Sequence, residues 1–356
     1  MRSRRVPWRR LARVTWTLHR PVLISAFAVV VVFVVAIILE QHSAHASYAV
    51  YVADGCVRHR YDTIGRQQCG AFPLSGTAFK SFAISLRVLL VVLGVFVGAP
   101  VVSREFESGT FRFAWTQGAG RDRFVLITLA AIAIVVTAMA VVLGLMFGGW
   151  YAHYFEVVFG PVGSQWLAGL FTTTWWMLAV WSLFALVLGI FLGAVIKRVV
   201  AALAATTVVV GGLVVGASVL LPRMLAIGAL ASSHFSAISI SVGGVNRPPQ
   251  SPGEGPLGNW LVRSWFTGPG GQVLSPSASA RVDLRMLLTL QAKIRGVIVP
   301  GNTAASRWLS LHHYTFWVSY QPASRFCIFQ GIEGAVLIGL AALLALATVR
   351  VVRHRA

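Results

Sequence analysis

The chain has 356 residues, of which 57% are hydrophobic and only 11% are charged, and its mean hydropathy is +0.76. A soluble domain cannot hide that much apolar surface, so the composition excludes an ordinary soluble protein and predicts several membrane spans. The formal net charge of +20 suits nucleic-acid binding, but basic residues also collect on the cytoplasmic side of membrane spans. Their positions decide between these two explanations.

The N-terminal residues 4–20 form a basic, amphipathic stretch. On a helical wheel its arginines share one face and its aliphatic residues the opposite face: Arg5, Arg9, Arg13 and Arg20 against Leu11, Val14 and Leu18. The pattern predicts a helix lying in the membrane interface, with its arginines toward anionic headgroups. A merely basic flank that sets the topology is the alternative. Pro21 is expected to end this helix and turn the chain into the first span.

Six apolar runs are each long enough to cross a bilayer, which takes about 20 residues. They cover residues 22–39, 81–102, 124–150, 171–196, 199–221 and 328–349. The expected fold is therefore an all-α polytopic membrane protein with six transmembrane helices. The first run also resembles a signal peptide, but residues 40–46 match a cleavage site only weakly, so an uncleaved span is expected.

Four of the runs contain a pair of glycines four residues apart. Small residues one turn apart let helix backbones approach closely in lipid, so these pairs predict a tightly packed bundle. The pattern does not tell which helices touch. The pairs are Gly94 and Gly98, Gly144 and Gly148, Gly189 and Gly193, and Gly212 and Gly216.

The distribution of basic residues orients the chain. With both termini inside, the cytoplasmic pieces 1–21, 103–123, 197–198 and 350–356 hold seven, four, two and three Lys and Arg residues. The much longer outer pieces hold thirteen, so the basic density is higher inside, as the positive-inside rule requires. Topology therefore explains most of the charge, and no nucleic-acid partner is expected.

This topology divides the chain into three parts. Residues 1–221 form a transmembrane domain with five spans, residues 222–327 an extracytoplasmic segment, and residues 328–356 the sixth span with a cytoplasmic tail. An outer loop at 40–80 contains Cys56 and Cys69, which are candidates for a disulfide because thiols oxidise outside the cytoplasm. Two free cysteines are the alternative, since the sequence does not show the distance between them.

The extracytoplasmic segment is expected to be a small cap on the spans. Residues 243–277 are rich in Gly, Pro and Ser and predict irregular coil, whereas residues 281–297 carry apolar residues at helical spacing. His234, His312 and His313 lack acidic or cysteine partners at ligand spacing, so no metal is expected.

Charged residues inside the spans are few. Arg87 in the second span and Glu333 in the sixth both belong to the outer half of the membrane. Together with Trp176 and Trp181 they are candidates for a substrate path, because charges held in a membrane often mark one. The alternative is that the charges snorkel or pair with one another, and that the tryptophans belong to an outer aromatic belt.

Sequence motifs for catalysis are absent. The three lysines, Lys80, Lys197 and Lys293, do not follow a glycine, so the chain has no phosphate-binding loop of the Gly-x-x-x-x-Gly-Lys type. It also has no His-Glu-x-x-His, Cys-x-x-Cys or Gly-x-Ser-x-Gly motif. The sequence therefore predicts a protein that is not an enzyme and that holds no cofactor.

The connector between the second and third spans gives the strongest family signal. It is polar, carries both charge signs, and includes Arg104-Glu-Phe-Glu-Ser-Gly-Thr110, then Trp115-Thr116-Gln117 and Arg121. With the six spans and the basic N-terminal helix, it resembles the permease subunits of type-2 ABC exporters, notably actinobacterial ones. Residues 320–333 are similar to those permeases as well. The chain departs from their pattern at Thr116-Gln117-Gly118, where a Thr-Pro element is common, and in its long outer segment.

The resemblance implies a permease subunit in the plasma membrane that exports an amphipathic compound, drug or lipid. It implies two permease copies, identical or different, each served by a cytoplasmic ABC ATPase. The segment 103–123 would be the coupling helix, and its ATPase-contacting residues would be Arg104, Glu105, Phe106, Glu107, Gly109, Thr110, Trp115, Thr116 and Arg121. The alternatives are a membrane-embedded sensor or scaffold that binds a ligand through 222–327, and a lipid-modifying membrane enzyme.

Overall fold

The computed structural model describes residues 8–54, 76–107, 121–159, 171–232, 240–242, 245–247, 260–293 and 307–355. Its long helices in these ranges are α1 (Trp8–Ala53), α2 (Gly76–Glu107), α3 (Arg121–Phe159), α4 (Trp175–Ile196), α5 (Val199–Ala226), α6 (Pro276–Lys293) and α7 (Phe326–Arg355). All except α6 are long and apolar enough to cross a membrane. The predicted fold class, an all-α polytopic membrane protein with six spanning helices, is confirmed.

Helix α4 forms the centre of the bundle. It packs against α2, α3, α5 and α7, and 67% of its apolar window is buried inside the protein, compared with 17% for α5. Hydrophobic residues on every side of a helix indicate contact with other helices or lipid all round, and here protein covers most of α4. These four spans therefore surround α4, and α1 packs outside them on α3 and α2.

The glycine pairs of α2 and α4 face each other. A Cβ atom added at Gly94 would lie 2.7 Å from Ala185 Cβ, and one added at Gly193 would lie 2.6 Å from Ala99 O. The backbones are thus too close for larger side chains, as small-residue packing in lipid requires. In contrast, a Cβ at Gly212 or Gly216 would meet no atom within 4 Å, so that pair does not pack against the described part of the chain.

Helix α1 differs from its predicted form at both ends. The prediction that Pro21 ends an interfacial helix is wrong, because α1 continues through Pro21 to Ala53. Proline removes one backbone hydrogen bond from a helix interior, and membrane helices tolerate this where other contacts hold the helix together. Residues 40–53 and 76–80 of the predicted outer loop are also helical, and residues 55–75 lie outside the described ranges.

The predicted outer segment contains a small antiparallel sheet. Its strand order is β1 (Leu230–Ser232), β5 (Thr315–Gln321), β4 (Trp260–Thr267), and β2 (Ile240–Val242) pairs separately with β3 (Val245–Arg247). The prediction of coil over 243–277 is therefore wrong for β3 and β4. Strand β4 pairs with β5 some fifty residues further along, as in Trp265 opposite Trp317, and local composition does not reveal so distant a partner.

Helix α6 covers one face of this sheet. Val282 and Met286 pack with Phe266, Phe316 and Val318 in a hydrophobic cluster that is separate from the spans. The helix predicted from the apolar spacing over 281–297 is present, but it begins earlier, at Pro276. The residue before it, Ser275, accepts a hydrogen bond from the Ala278 N–H through its Oγ at 3.3 Å. Capping serine followed by proline is a favourable helix start.

The sheet is attached to the bundle by aromatic packing. Trp260 at the start of β4 clusters with Phe171, before α4, and with Phe326, at the start of α7. The two phenylalanine rings meet edge to face with their centroids 5.3 Å apart. Aromatic contacts of this kind contribute about 0.5–1.5 kcal/mol beyond their buried area. The cap thus rests on the outer ends of α4 and α7.

Candidate functional site

The end of α2 that is predicted to be cytoplasmic is joined to the beginning of α5. The Val199 N–H, at the first residue of α5, donates a hydrogen bond of 3.1 Å to Glu107 Oε2, at the last residue of α2. The first backbone N–H groups of a helix have no partner inside the helix and carry a partial positive charge. A carboxylate from another helix satisfies that need, so Glu107 fixes the α2 terminus against α5.

The short connection between α4 and α5 completes this junction. Lys197 has left-handed backbone geometry (φ 61°), and its N–H donates to Gly193 O, which closes the end of α4. Its Nζ lies 5.3 Å from the centroid of the Phe106 ring, within the range of a cation–π contact. Phe106, Glu107, Lys197 and Val199, here called the coupling junction, therefore connect the inner ends of α2, α4 and α5.

The predicted coupling residues are only partly covered by the structure. Arg104 and Glu107 are exposed and Phe106 is half-buried in the last turn of α2, where Glu105 also lies, and Arg121 begins α3. Four of the predicted residues lie outside the described ranges: Gly109, Thr110, Trp115 and Thr116. Sequence reasoning missed Lys197 and Val199 as their partners. The signal was available, because Lys197 and Arg198 alone separate two long apolar runs.

A polar cluster lies in the outer half of the bundle. Trp181 Nε1 on α4 donates a hydrogen bond of 3.0 Å to Glu333 Oε1 on α7, and the Arg87 charge on α2 attracts the same carboxylate. Gly334, the residue after Glu333 on α7, makes room for Trp176, since a Cβ at this position would lie 2.7 Å from the Trp176 ring. The four residues predicted for a substrate path are thus brought together by three helices.

The space beside this cluster is small. A cavity of about 20 Å³ is lined by Arg87, Thr172 and Trp181 together with three aliphatic residues. That volume is enough for about one water molecule and far too small for an amphipathic compound. Thr172 is buried, and its hydroxyl has no hydrogen-bond partner among the described residues, so one water in the cavity would satisfy it. The three helices therefore leave almost no free space beside the cluster.

A second polar network anchors the start of α7. Gln321 donates to Ile227 O at 3.0 Å and accepts from Arg325 Nη1 at 3.0 Å, and Arg325 also donates to Gly228 O at 2.6 Å. These bonds tie the start of α7 to the turn that follows α5. Ile227 and Gly228 are exposed, so these bonds fix the position of the turn rather than satisfy buried carbonyls.

One turn further along, Gln330 performs the same task for the chain entering α4. It is 1% exposed, and its Nε2 donates to Phe171 O at 2.5 Å and to Thr174 Oγ1 at 3.1 Å. The stretch 320–333 therefore holds the outer ends of α4, α5 and α7 together. Sequence reasoning noted this stretch only as a family resemblance and assigned no role to its glutamines or to Arg325.

The cysteines and histidines add no catalytic group to the described part of the chain. Cys56 and Cys69, the candidate disulfide pair, lie outside the described ranges, and Cys327 is an exposed free cysteine. His312 stacks on Trp308 at 4.2 Å and contacts its carbonyl oxygen through Nδ1 at 2.8 Å. Among the described residues, no group of three His, Cys, Asp or Glu lies close enough to hold a metal ion.

The family of the chain follows from comparison with known proteins. The family model of ABC-2 membrane transporter related proteins matches residues 27–222, which is more than half of the chain. The chain therefore belongs to this family. It is a permease subunit of an ABC transporter, a transmembrane component that is not itself catalytic, and membership implies an ATPase partner and a bilayer. Comparisons with curated proteins and with solved structures find no significant match.

Proposed function

We propose that this permease exports an amphipathic compound, drug or lipid across the plasma membrane, using ATP hydrolysed by a separate cytoplasmic subunit. Two copies of the permease, identical or different, would form the complete transmembrane unit. The ATPase would dock on the segment 103–123, where Arg104, Glu105, Phe106 and Glu107 end α2 and Arg121 begins α3. The observation that carries this proposal is the coupling junction.

The junction supports the proposal because it makes the docking segment continuous with several spans. A force on Phe106 or Glu107 reaches α2 directly, and it reaches α4 and α5 through Lys197 and the Val199 N–H. ATP-driven closure of a partner drives transport only if it biases the spans between two arrangements. Contacts that bind three spans to one docking segment provide that bias.

The outer polar cluster supplies an element that can differ between the two arrangements. In the closed arrangement, Glu333 accepts a hydrogen bond from Trp181 and is attracted by the Arg87 charge. The adjacent cavity then admits about one water molecule. Separation of α4 from α7 would break the Trp181–Glu333 bond and expose a charged, aromatic-lined passage. We propose that Arg87, Trp176, Trp181 and Glu333 line the outer path of the exported compound in that open arrangement.

The charge-reversing substitution Glu107→Arg tests the coupling role. The variant is expected to insert and to be extracted as folded protein, but to lose transport and to co-purify with less ATPase. Glu107→Gln keeps a hydrogen-bond acceptor for Val199 and removes only the charge, so its loss should be smaller. Arg350→Ala, an exposed change on the cytoplasmic end of α7, is the control. Normal transport by Glu107→Arg would refute the proposal.

A sensor or scaffold that binds a ligand through residues 222–327 is the second candidate. It is favoured by the separate hydrophobic cluster of the cap, in which α6 packs on β4 and β5. Identifying the proteins that co-purify with the wild-type protein separates the two candidates. An ATPase that is retained through residues 103–123 supports the exporter. A sensor kinase, or no ATPase with the wild-type protein, supports the second candidate.

A further inference from the structure

A groove on the outside of the bundle runs between α1 and α2 and ends at the first residue of α5. Its volume is about 430 Å³, and apart from Ser25 and Arg104 its lining is apolar. On α2 the lining runs from Leu89 to Arg104. At about 1.5 Å per residue these fifteen steps cover about 22 Å, the depth of one leaflet with its headgroup layer.

The two ends of the groove have different chemistry. Arg104, which is exposed, lies at the end that the positive-inside rule places in the cytoplasm, with Val199 and Pro100 beside it. The other end is formed by Val29, Leu89 and other aliphatic side chains at the level of the hydrocarbon core. A guanidinium carries five N–H donors, so Arg104 can bind a phosphate in addition to its contacts within the protein.

We infer that this groove binds one anionic phospholipid of the inner leaflet, with its phosphate on Arg104 and an acyl chain between α1 and α2. Three observations agree on this occupant: a groove as long as one leaflet, an apolar lining, and one cationic residue of that lining, Arg104, at the headgroup level. Exposed Lys197 and Arg198 stand next to Val199 and add positive charge at the same depth. Anionic lipids are attracted to such cytoplasmic basic sites.

The groove also explains an exposed apolar surface. Val29, Val92 and Phe96 are 43%, 41% and 56% exposed although they line a concave site. An acyl chain would cover them better than loosely packed bulk lipid, because a concave surface contacts a chain on several sides. The bound lipid would thereby fill the space between α1 and α2, which have few direct contacts. This inference depends on the predicted orientation and not on the proposed export function.

Native mass spectrometry of the full-length protein in detergent tests the site, with dioleoylphosphatidylglycerol and dioleoylphosphatidylcholine as probes at equal concentration. The wild-type protein should retain one phosphatidylglycerol and bind it about fivefold better than phosphatidylcholine. Arg104→Ala should abolish that preference, Arg104→Lys should keep part of it, and the control Arg350→Ala should keep it in full. Equal binding of both lipids by the wild type, or an unchanged preference in Arg104→Ala, would overturn the inference.

A matched pair of substitutions tests the acyl-chain site. Val92→Trp fills the groove, whereas Val88→Trp changes another exposed valine one turn away that does not line it. Val92→Trp should lose the retained lipid, and Val88→Trp should keep it. Equal retention would contradict the inference. It would also be contradicted if Val92→Cys cross-linked two permease copies, or if ATP turnover moved the lipid out as cargo.

Discussion

Trp181 and Glu333 are 152 positions apart in the chain, and a hydrogen bond of 3.0 Å joins their side chains across the α4–α7 interface. The positive charge of Arg87 on α2 also acts on this carboxylate. A charged group inside a membrane protein is costly unless it is paired and hydrogen-bonded. These two partners make Glu333 tolerable at this depth, and each of them can be removed by a conservative change.

Removing the indole donor should destabilise the bundle. Trp181→Phe removes the indole N–H together with the pyrrole part of the ring, so Glu333 loses one hydrogen bond, which is worth about 1.5–3 kcal/mol to a charged acceptor, and a small void is left at this buried position. We expect a lower melting temperature of the detergent-solubilised protein. Trp175→Phe, on the same helix but half exposed, is the control and should melt like the wild type. Equal melting of the two variants would show that the hydrogen bond contributes nothing.

Removing both charges should destabilise the protein less than removing either charge alone. Arg87→Met and Glu333→Met each leave a partly buried charge without its opposite charge, which costs at most about 3–5 kcal/mol, whereas the double variant leaves none. The double variant should therefore be more stable than either single variant, as a double-mutant cycle of thermal melting curves would reveal. If the cluster lines the outer path, the double variant should also fold but fail to transport. Additive destabilisation would rule out a direct pair.

The close packing of α2 on α4 predicts a contrast between two glycines. Gly193→Ala places a Cβ against Ala99 O, and such overpacking costs about 1–3 kcal/mol. Gly216→Ala meets open space, and it should be neutral or should stabilise α5 by about 0.5–1 kcal/mol, because alanine favours helix more than glycine does. Melting temperatures in one detergent would compare them. A destabilising Gly216→Ala would indicate that an assembly partner covers that face.

The buried Gln330 amide should be essential for the entry into α4. Gln330→Leu leaves the Phe171 carbonyl without its side-chain donor, and a buried unsatisfied group costs about 1–3 kcal/mol. Thr174→Val removes only the second acceptor and should cost less. Limited proteolysis before α4 would measure the loss, since a loosened entry becomes cleavable. Faster cleavage of Thr174→Val than of Gln330→Leu would contradict this account.

The sequence predicted the spanning helices well because their signal is local. Twenty consecutive apolar residues are readable without knowing what they contact, and the six runs correspond to six helices. Helix ends were less predictable. Pro21 was expected to stop α1 and does not, because a proline breaks a helix only when nothing else holds it. Ser275-Pro276, a readable helix start, was overlooked.

Relationships between distant residues were not predictable from the sequence. Glycine pairs marked four helices, but only the three-dimensional packing distinguishes Gly94 and Gly193, which face a neighbouring helix, from Gly212, which meets no other part of the described chain. The members of the outer polar cluster were identified one by one, as charged or aromatic residues of similar depth, while their hydrogen bond and shared cavity depend on how α2, α4 and α7 pack. Strand β4 was missed for the same reason.

The 46 residues of α1 correspond to a rod of about 69 Å, more than twice the thickness of the hydrocarbon core. We expect one continuous helix of that length to transmit rotation or tilt from one side of the bilayer to the other, because no loop interrupts it. A spectroscopic probe attached near Trp8 should therefore report rearrangements that occur among residues in the outer leaflet. Movement of the proposed substrate passage would then be observable from the side predicted to be cytoplasmic, at a position that no ligand needs to approach.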